Sequence, residues 1–323
     1  MLDFLDKPQL ADERNYRFEM ETRIEPYLQK RRTEGFFPSG DGKAMHYEAY
    51  AKLLSRGSVI ILHGFTESAE KFRETAYYFR KAGYSVFAPD LRGHGKSYHD
   101  SDKTERVDID SFDTYADDLN IFIETVVKPL TPNGKIHIYS HSLGSTVALL
   151  YMISNPFTIK KAVLSSPMIC GNMGMPTAIA GTAAKLLCSL GGKNIPAPGR
   201  CIFKADLPFS ESDATSKARF EYYQQKRINQ PLYQTSGPSF GWVKASLEAR
   251  DKIMNEDKIK LINAELLIFK PEEDKQLLGD YTDRFAHKAK ADVKNVKDSR
   301  HEIFMSGDEV LRWYIEEILD FFE

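Results

Sequence analysis

The 323-residue sequence has only three cysteines, Cys170, Cys188 and Cys201, and their spacing matches no metal-binding motif. So few thiols, odd in number, favour reduced cysteines in an intracellular protein and leave a secreted chain open. An excess of one charge is also missing, since 44 basic and 46 acidic side chains give a net charge of −2. This balance gives no electrostatic reason to expect a nucleic-acid partner.

A long hydrophobic run is missing as well. The most apolar stretch, residues 175–190, is interrupted by a proline, a glycine and a lysine, so it does not predict a membrane-spanning helix. The first 25 residues are charged and contain Pro8, unlike a secretory signal peptide. The sequence therefore predicts a cytoplasmic protein that touches the inner face of the membrane only peripherally.

Short apolar runs alternate with helical patterns along the chain. The strand-like runs lie at 58–62, 85–89, 136–139, 162–164 and 266–269, and the helical patterns lie at 69–82, 114–127, 145–154 and 309–322. Continuous apolar runs are typical of strands covered by helices on both faces. The alternation predicts an α/β fold with a mostly parallel central sheet, preceded by a hairpin at 36–50.

One long stretch, residues 169–255, interrupts this alternation with helical patterns punctuated by Gly and Pro. We interpret it as a helical cap inserted into the sheet domain. The predicted units are a helical lead-in at 1–33, a core at 34–168 and 256–323, and the cap at 169–255. An adaptable apolar surface, or else the interior of the cap, is indicated by Met168, Met173, Met175, Ile179 and Leu186.

Ser-His-Ser-Leu-Gly at 140–144 lies where a strand-like run meets a helical pattern. This is the pattern of a nucleophile elbow, a tight strand–turn–helix junction that raises one hydroxyl, here that of Ser142, into a cleft. The positions two before and two after the serine must be small. Gly144 meets this requirement, and Ser140 stands where glycine is commonest. The five residues alone also suit an ordinary loop or helix start, so the flanking elements carry the prediction.

A serine hydroxyl needs a base, and the base needs a group that orients it. In elbow hydrolases these residues follow in the order serine, acid, histidine. His301 lies just before the last predicted helix and is the candidate base, while Asp274 follows a predicted strand and is the candidate acid. Glu273 and then Glu272 are the alternatives, and all three carboxylates also suit a solvated acidic loop.

The reaction also needs hydrogen-bond donors for the negative oxygen of the tetrahedral intermediate. One candidate is the backbone N–H of Leu143, directly after the predicted nucleophile. The second is the N–H of Phe65, because Gly64 lets the loop after an early strand approach the substrate. The alternative for this loop is a simple strand-to-helix turn capped by Thr66 or Ser68.

Together these motifs resemble the α/β-hydrolase superfamily, in the branch of monoacylglycerol lipases and bacterial lysophospholipases that is similar to serine aminopeptidases. The resemblance rests on five segments, His63-Gly64-Phe65, the run from Asp90 to Ser97, Ser140 to Gly144, the Asp274 loop and His301-Glu302-Ile303, with 237–243 in the cap. It implies an α/β-hydrolase fold and a serine ester hydrolase that uses Ser142, Asp274 and His301.

The implied substrate is a single-chain acyl lipid, either a lysophospholipid or a monoacylglycerol, cleaved without a metal or an organic cofactor. The implied partners are this small lipid and, through the cap, a transient contact with a membrane surface. Other small acyl substrates stay open, because a carboxylesterase, a thioesterase and a proline iminopeptidase-like enzyme share the fold. A hydrolase fold without catalysis, used for binding, is the alternative from another class.

Overall fold

The computed structural model describes residues 8–99, 105–198 and 202–323, so the first seven residues of the predicted lead-in and Cys201 lie outside it. Ten strands occur in the described residues. They are β1 (Thr33–Pro38), β2 (Ala44–Tyr50), β3 (Ser58–Leu62), β4 (Ser85–Pro89), β5 (Arg106–Val107), β6 (Ile136–His141), β7 (Lys161–Ser165), β8 (Gly237–Pro238), β9 (Glu265–Pro271) and β10 (Asp292–Val296).

Eleven α-helices are present in the same ranges. They are α1 (Tyr16–Glu19), α2 (Glu25–Gln29), α3 (Arg73–Lys81), α4 (Asp113–Phe122), α5 (Leu143–Ser154), α6 (Thr177–Ser189), α7 (Lys217–Asn229), α8 (Phe240–Ile253), α9 (Glu256–Ile259), α10 (Gly279–Ala289) and α11 (Asp308–Phe322). None of the helices in the described ranges is both long and apolar enough to cross a membrane.

Eight strands form one sheet in the order β1-β2-β4-β3-β6-β7-β9-β10. β1 and β2 form the expected hairpin, β2 also runs antiparallel to β4, and all other neighbours in the sheet are parallel. The prediction of an α/β fold with a mostly parallel sheet is confirmed. Parallel order places the carboxyl ends of β3, β6, β7, β9 and β10 along one edge of the sheet.

Alternate residues of the central strands face two separate apolar cores. In β3, Ile60 and Leu62 pack with α4, α5 and α8, whereas Val59 and Ile61 pack with α3, α11 and the N-terminal segment. A strand buried on both faces needs apolar side chains at every position, which explains the continuous run at 58–62. Burial on both faces also fixes the strand register, because a slip by one residue would exchange the two faces.

Between β7 and β9 the chain forms α6, α7, α8 and α9, and this is the region that the sequence analysis interprets as a cap. The two-residue strand β8 pairs in parallel with β5 and joins this region to the loop after β4. The sequence pattern did not predict either short strand. The division into lead-in, core and cap at 33, 168 and 255 stays a prediction, and β1 already begins at Thr33.

Two elements near the C-terminus, α10 and β10, were also not predicted. β10 is an edge strand in which only Val296 is buried, so it lacks the apolar run that marked the inner strands. The edge position explains this composition, because one side of the strand has no neighbouring strand and its faces are only partly covered. β10 nevertheless positions the loop that carries His301.

Candidate active site

Ser142 lies between β6 and α5, at the carboxyl edge of the sheet, and its side chain is largely buried. Its backbone is in the left-handed region, with φ 50° and ψ −116°, which costs a non-glycine residue of order 1–3 kcal/mol. Hydrogen bonds hold this conformation, because the Ser142 N–H donates to Ser165 O (3.0 Å) and Ser142 O accepts from the Met168 N–H (3.1 Å). The sharp strand–turn–helix junction has the backbone geometry that a nucleophile elbow requires.

The small residues around the elbow are needed for close packing. A Cβ on Gly144 would lie 2.2 Å from the carbonyl oxygen of Leu62, so only glycine lets α5 start this close to β3. Ser140 is fully buried, and its hydroxyl lies 3.0 Å from both the Ser145 hydroxyl and the Val163 carbonyl oxygen. The serine at this position is therefore accommodated by hydrogen bonds.

The loop after β3 lies beside the elbow, as a close approach at Gly64 shows. A Cβ built on Gly64 would be 3.2 Å from Ser142 Cβ and 2.9 Å from the His141 ring. Among the described residues, the N–H groups of Phe65 and Leu143 donate to no protein acceptor. Two backbone donors therefore remain available at the loops that flank the serine, as an oxyanion hole requires.

Asp274 and His301 form a hydrogen-bonded pair, with His301 Nδ1 lying 2.8 Å from Asp274 Oδ2. The other oxygen of Asp274 accepts the N–H groups of Gln276 (2.8 Å) and Leu277 (3.2 Å). Three donors thus orient the carboxylate. Because Nδ1 is engaged, the free ring nitrogen available for proton transfer is Nε2.

In this pair, the positive charge on His301 and the negative charge on Asp274 stabilise each other. Burial disfavours the imidazolium, but the hydrogen bond and the negative charge of Asp274 raise the pKa of His301 above its usual value. Burial likewise disfavours the carboxylate, but the hydrogen bond to His301 and the imidazolium charge lower the pKa of Asp274. An imidazolium at His301 is therefore stabilised beside ionised Asp274.

His301 is brought to the elbow by contacts on two sides. The Ser166 hydroxyl, at the end of the strand next to β6, donates to the backbone carbonyl of His301 at 2.7 Å. The ring of His141, the residue directly before Ser142, lies 4.8 Å from the ring of His301. Ser142, Asp274 and His301 therefore lie at the same edge of the sheet, at the ends of β6, β9 and β10.

The neighbouring acids, Glu272 and Glu273, point away from His301. The Glu272 carboxylate accepts the Asp298 N–H at 2.8 Å, and the side chain of Glu273 is 65% exposed and 3.7 Å from Arg300. Of the three neighbouring carboxylates, the structure places that of Asp274 against His301. Because these three acidic residues are consecutive, the sequence alone could not show which of them contacts His301.

The other histidines of the glycine-containing turns make internal hydrogen bonds. His63 Nε2 accepts the Leu91 N–H and Nδ1 bonds the Gly64 carbonyl, both at 2.8 Å, while His94 Nδ1 bonds the Arg92 carbonyl at 3.0 Å. Burial lowers the pKa of both rings and so favours their neutral form, in which they hold the turns through hydrogen bonds. Burial also lowers the pKa of His141 well below its usual value.

A buried lysine, which the sequence analysis missed, joins the two loops of the site. Lys71 Nζ lies 2.8 Å from Glu67 and 2.5 Å from Glu302, and the other oxygen of Glu67 accepts the Gly64 N–H at 2.6 Å. Burial disfavours the ammonium, yet the two carboxylates raise its pKa. This cluster fixes the loop of Gly64 against the loop of His301, and only the spacing of Glu67 and Lys71, four residues apart, could have indicated half of it.

Metal-binding geometry is absent from the described part of the chain. Within residues 8–99, 105–198 and 202–323, no group of three or more His, Cys, Asp or Glu side chains is arranged to hold a metal ion. The expectation that the reaction needs no cofactor stays a prediction.

The fold, with the strained strand–turn–helix junction at Ser142, is that of an α/β-hydrolase. Its closer relationship follows from comparison with known families. The chain belongs to the serine aminopeptidase S33 family, whose model matches residues 54–308. The predicted resemblance to the α/β-hydrolase superfamily is confirmed.

Curated relatives match most of the chain. It is 28% identical over 277 residues to the probable lysophospholipase L2 of Haemophilus influenzae, covering 82% of this chain and 83% of that protein. It is 26% identical to lysophospholipase L2 of Escherichia coli K12, covering 82% of this chain and 79% of the relative. The monoacylglycerol lipase of Mycolicibacterium smegmatis is 27% identical over 58% of this chain and 60% of its own length.

Solved structures share the fold. A soluble variant of monoglyceride lipase from Saccharomyces cerevisiae has a TM-score of 0.71 at 19% identity, covering 90% of this chain and 94% of that one. A thermostable carboxyl esterase from Bacillus coagulans has a TM-score of 0.72 at 17% identity, covering 90% and 99%. At these identities the likeness concerns the fold.

Proposed function

We propose that this protein is a serine ester hydrolase that cleaves single-chain acyl lipids through an acyl-enzyme, with Ser142 as nucleophile, His301 as base and Asp274 as orienting acid. The observation that carries the proposal is the strained elbow at Ser142 on the sheet edge that also holds the hydrogen-bonded pair of Asp274 and His301. Family membership and the named lysophospholipase relatives support the ester substrate.

In the first half of the reaction, Ser142 Oγ attacks the ester carbonyl carbon while His301 Nε2 takes the hydroxyl proton. The N–H groups of Phe65 and Leu143 stabilise the oxygen that becomes negative. The carbon–oxygen bond to the alcohol then breaks, and His301 gives its proton to the leaving alcohol. In the second half, water attacks the acyl carbon while His301 Nε2 takes its proton. The bond from that carbon to Ser142 Oγ then breaks, His301 returns the proton to Ser142 and the fatty acid leaves.

Labelling with a fluorophosphonate probe tests the assignment directly. Wild-type protein should react at Ser142, and Ser142→Ala should lose labelling and about four to six orders of magnitude in kcat. Ser140→Gly is a matched control, because it restores the commonest elbow residue and should keep both labelling and turnover. Labelling that persists in Ser142→Ala, or a wild-type protein that never labels, would contradict the proposal and favour a binding protein.

The finer substrate assignment concerns the acyl chain. A nitrophenyl ester series from acetate to decanoate should show increasing kcat/KM with chain length if single-chain lipids are the substrates. A sharp preference for acetate would instead favour a carboxylesterase. Turnover of acyl thioesters in the same panel would favour a thioesterase, and turnover of aminoacyl amides would favour a proline iminopeptidase-like enzyme.

Contact with lipid is supported by the exposed apolar residues of the insertion. The cytoplasmic location and the peripheral contact with the membrane stay predictions.

A further inference from the structure

The short segment just before α7 contacts the loop of the candidate base. The Arg300 guanidinium donates to the carbonyl oxygens of Ser212 (3.3 Å) and Ala214 (3.5 Å). Between them, the carbonyl oxygen of Asp213 accepts the N–H of Glu302 at 3.0 Å. The residues on both sides of His301 are therefore bonded to this segment of the insertion.

The side chain of Asp213 reaches the loop of the candidate acid. Its Oδ2 atom accepts the side-chain amide of Gln276 at 2.9 Å. The backbone N–H of the same Gln276 donates to Asp274 Oδ1 at 2.8 Å. Asp213 is thus hydrogen-bonded to the acid loop through its side chain and to the base loop through its backbone.

The electrostatic surroundings of His301 give Asp213 a second effect. The titratable groups that act on the imidazole or lie against it are Asp274, Asp213, Glu302 and His141, and Lys71 lies behind them, paired with Glu302. Asp274 acts most strongly, and the charges of Asp213 and Glu302 add to its effect in favouring the imidazolium. The nearby cation Lys71 is paired with Glu67 and Glu302, and burial favours the neutral form of His141, so the contribution of Asp213 is not opposed by a free positive charge of either group.

We propose that Asp213 is a positioning residue for the ester hydrolysis proposed above. It holds the loops of Asp274 and His301 at a fixed separation, and its carboxylate stabilises the imidazolium that forms in each proton transfer. The inference rests on the proposed function, since it assigns Asp213 a role in the same reaction. It connects the insertion to catalysis without any contact between Asp213 and the substrate.

Three variants test this role with a soluble nitrophenyl butyrate substrate. Asp213→Asn keeps an acceptor for Gln276 but removes the charge, so the acid limb of the kcat/KM profile should move about half a pH unit lower. Asp213→Ala also removes the acceptor and should lower the plateau kcat about three- to tenfold with little change in KM. Asp213→Glu restores the charge and should recover the wild-type acid limb. Glu211→Gln, an exposed acid in the same segment, is the matched control and should change neither quantity.

An unchanged acid limb in Asp213→Asn together with an unchanged kcat in Asp213→Ala would overturn the inference. If Asp213→Ala does not fold, Asp213→Asn alone decides, because it preserves the hydrogen-bond acceptors. Fluorophosphonate labelling separates this failure from failure of the proposed function. Labelled Ser142 with unaffected Asp213 variants counts against the positioning role alone, whereas unlabelled wild-type protein counts against the hydrolase itself.

Discussion

Two helices of the insertion, α7 and α6, meet the rest of the protein in opposite ways. In α7, Arg219 is buried, and its guanidinium donates to Glu74 (3.1 Å) and Asp308 (2.9 Å). In α6 the only buried residues are two alanines, while Ile179 and Leu186 are each 59% exposed. Charge is thus buried where the insertion is fixed, and apolar surface is exposed where it faces solvent.

The anchor of α7 gathers distant parts of the chain. Besides Glu74 of α3 and Asp308 of α11, Arg219 donates to the carbonyl oxygen of Ala11 (3.2 Å) and lies 3.5 Å from Glu13 in the N-terminal segment. Burial disfavours the guanidinium charge, but the negative charge of Glu74 and its hydrogen bond raise the pKa of Arg219. An ion cluster of this kind tolerates little displacement, because a partner left buried without its counter-charge is costly. The residues just before α7, including Asp213, are therefore held firmly.

The contact between α6 and α8 uses small residues. Ala180 and Ala184 are buried, and a Cβ added to Gly181 would lie 3.2 Å from the Leu247 side chain of α8. Ile179 and Leu186, two of the three large apolar residues of α6, face away from the protein. This reverses the usual amphipathic arrangement, in which large apolar side chains face the core, and it suits contact with lipid. The pattern of Ile179 and Leu186 agrees with the adaptable apolar surface that the sequence indicates.

The largest expected effect follows from breaking the anchor of α7. Arg219→Met should lower the free energy of unfolding by about 3–5 kcal/mol, because it leaves the Glu74 carboxylate buried without its cation. Lys217→Met on the same helix is the control, since Lys217 is 67% exposed and should change stability by less than about 0.5 kcal/mol. Denaturant titration of both variants makes the comparison. Equal midpoints would show that Arg219 does not anchor the helix.

An intermediate effect is expected from α6. The double variant Ile179→Ser, Leu186→Ser should hydrolyse monoacylglycerol in vesicles about tenfold more slowly, because the surface that contacts lipid becomes polar. Hydrolysis of a soluble butyrate ester should not change. Leu53→Ser, Leu54→Ser is the matched control, because these exposed leucines precede β3 at the opposite edge of the sheet. A similar loss in the control, or an equal loss with the soluble ester, would contradict membrane contact through α6.

The smallest expected effect is a difference in pH dependence between the two regions. Protonated His301 cannot accept a proton from Ser142, so kcat/KM should fall as the pH falls through the pKa of His301. That pKa is raised above the usual value near 6.5, which places the acid limb above this pH. The α6 double variant should keep the wild-type acid limb, since α6 contributes no charge to the His301 pair. A limb below pH 6.5, or one moved by the α6 changes, would break the distinction.

Buried strands and the sharp turn at Ser142 were the parts that local pattern could predict. The apolar runs at 58–62 and 85–89 coincide with β3 and β4, because a strand buried on both faces needs apolar residues throughout. The elbow could be found because the turn at Ser142 demands small neighbours within two residues. β10 could not be found in this way, since a partly exposed edge strand carries no such pattern.

The acid and the supporting charges depended on tertiary contacts. Asp274 was distinguishable from Glu273 only by its direction toward His301. The link from Lys71 to Glu302 and that from Asp213 to Gln276 could not be predicted, because these partners lie 231 and 63 residues apart along the chain. Ionic and polar pairs at such separations leave no periodic signal in a single sequence.

By itself, the sequence determined the alternation of buried strands and helices, the strained serine turn and the order of serine, acid and histidine along the chain. Each of these is set by short-range requirements of backbone geometry and burial, which act within a few residues. Tertiary structure alone decided which carboxylate meets the imidazole, which helix of the insertion is anchored and which apolar side chains face solvent. Those outcomes depend on which distant segments pack together in the low-dielectric interior. A charge buried there needs a counter-charge close to it in space, and that residue can lie anywhere along the chain.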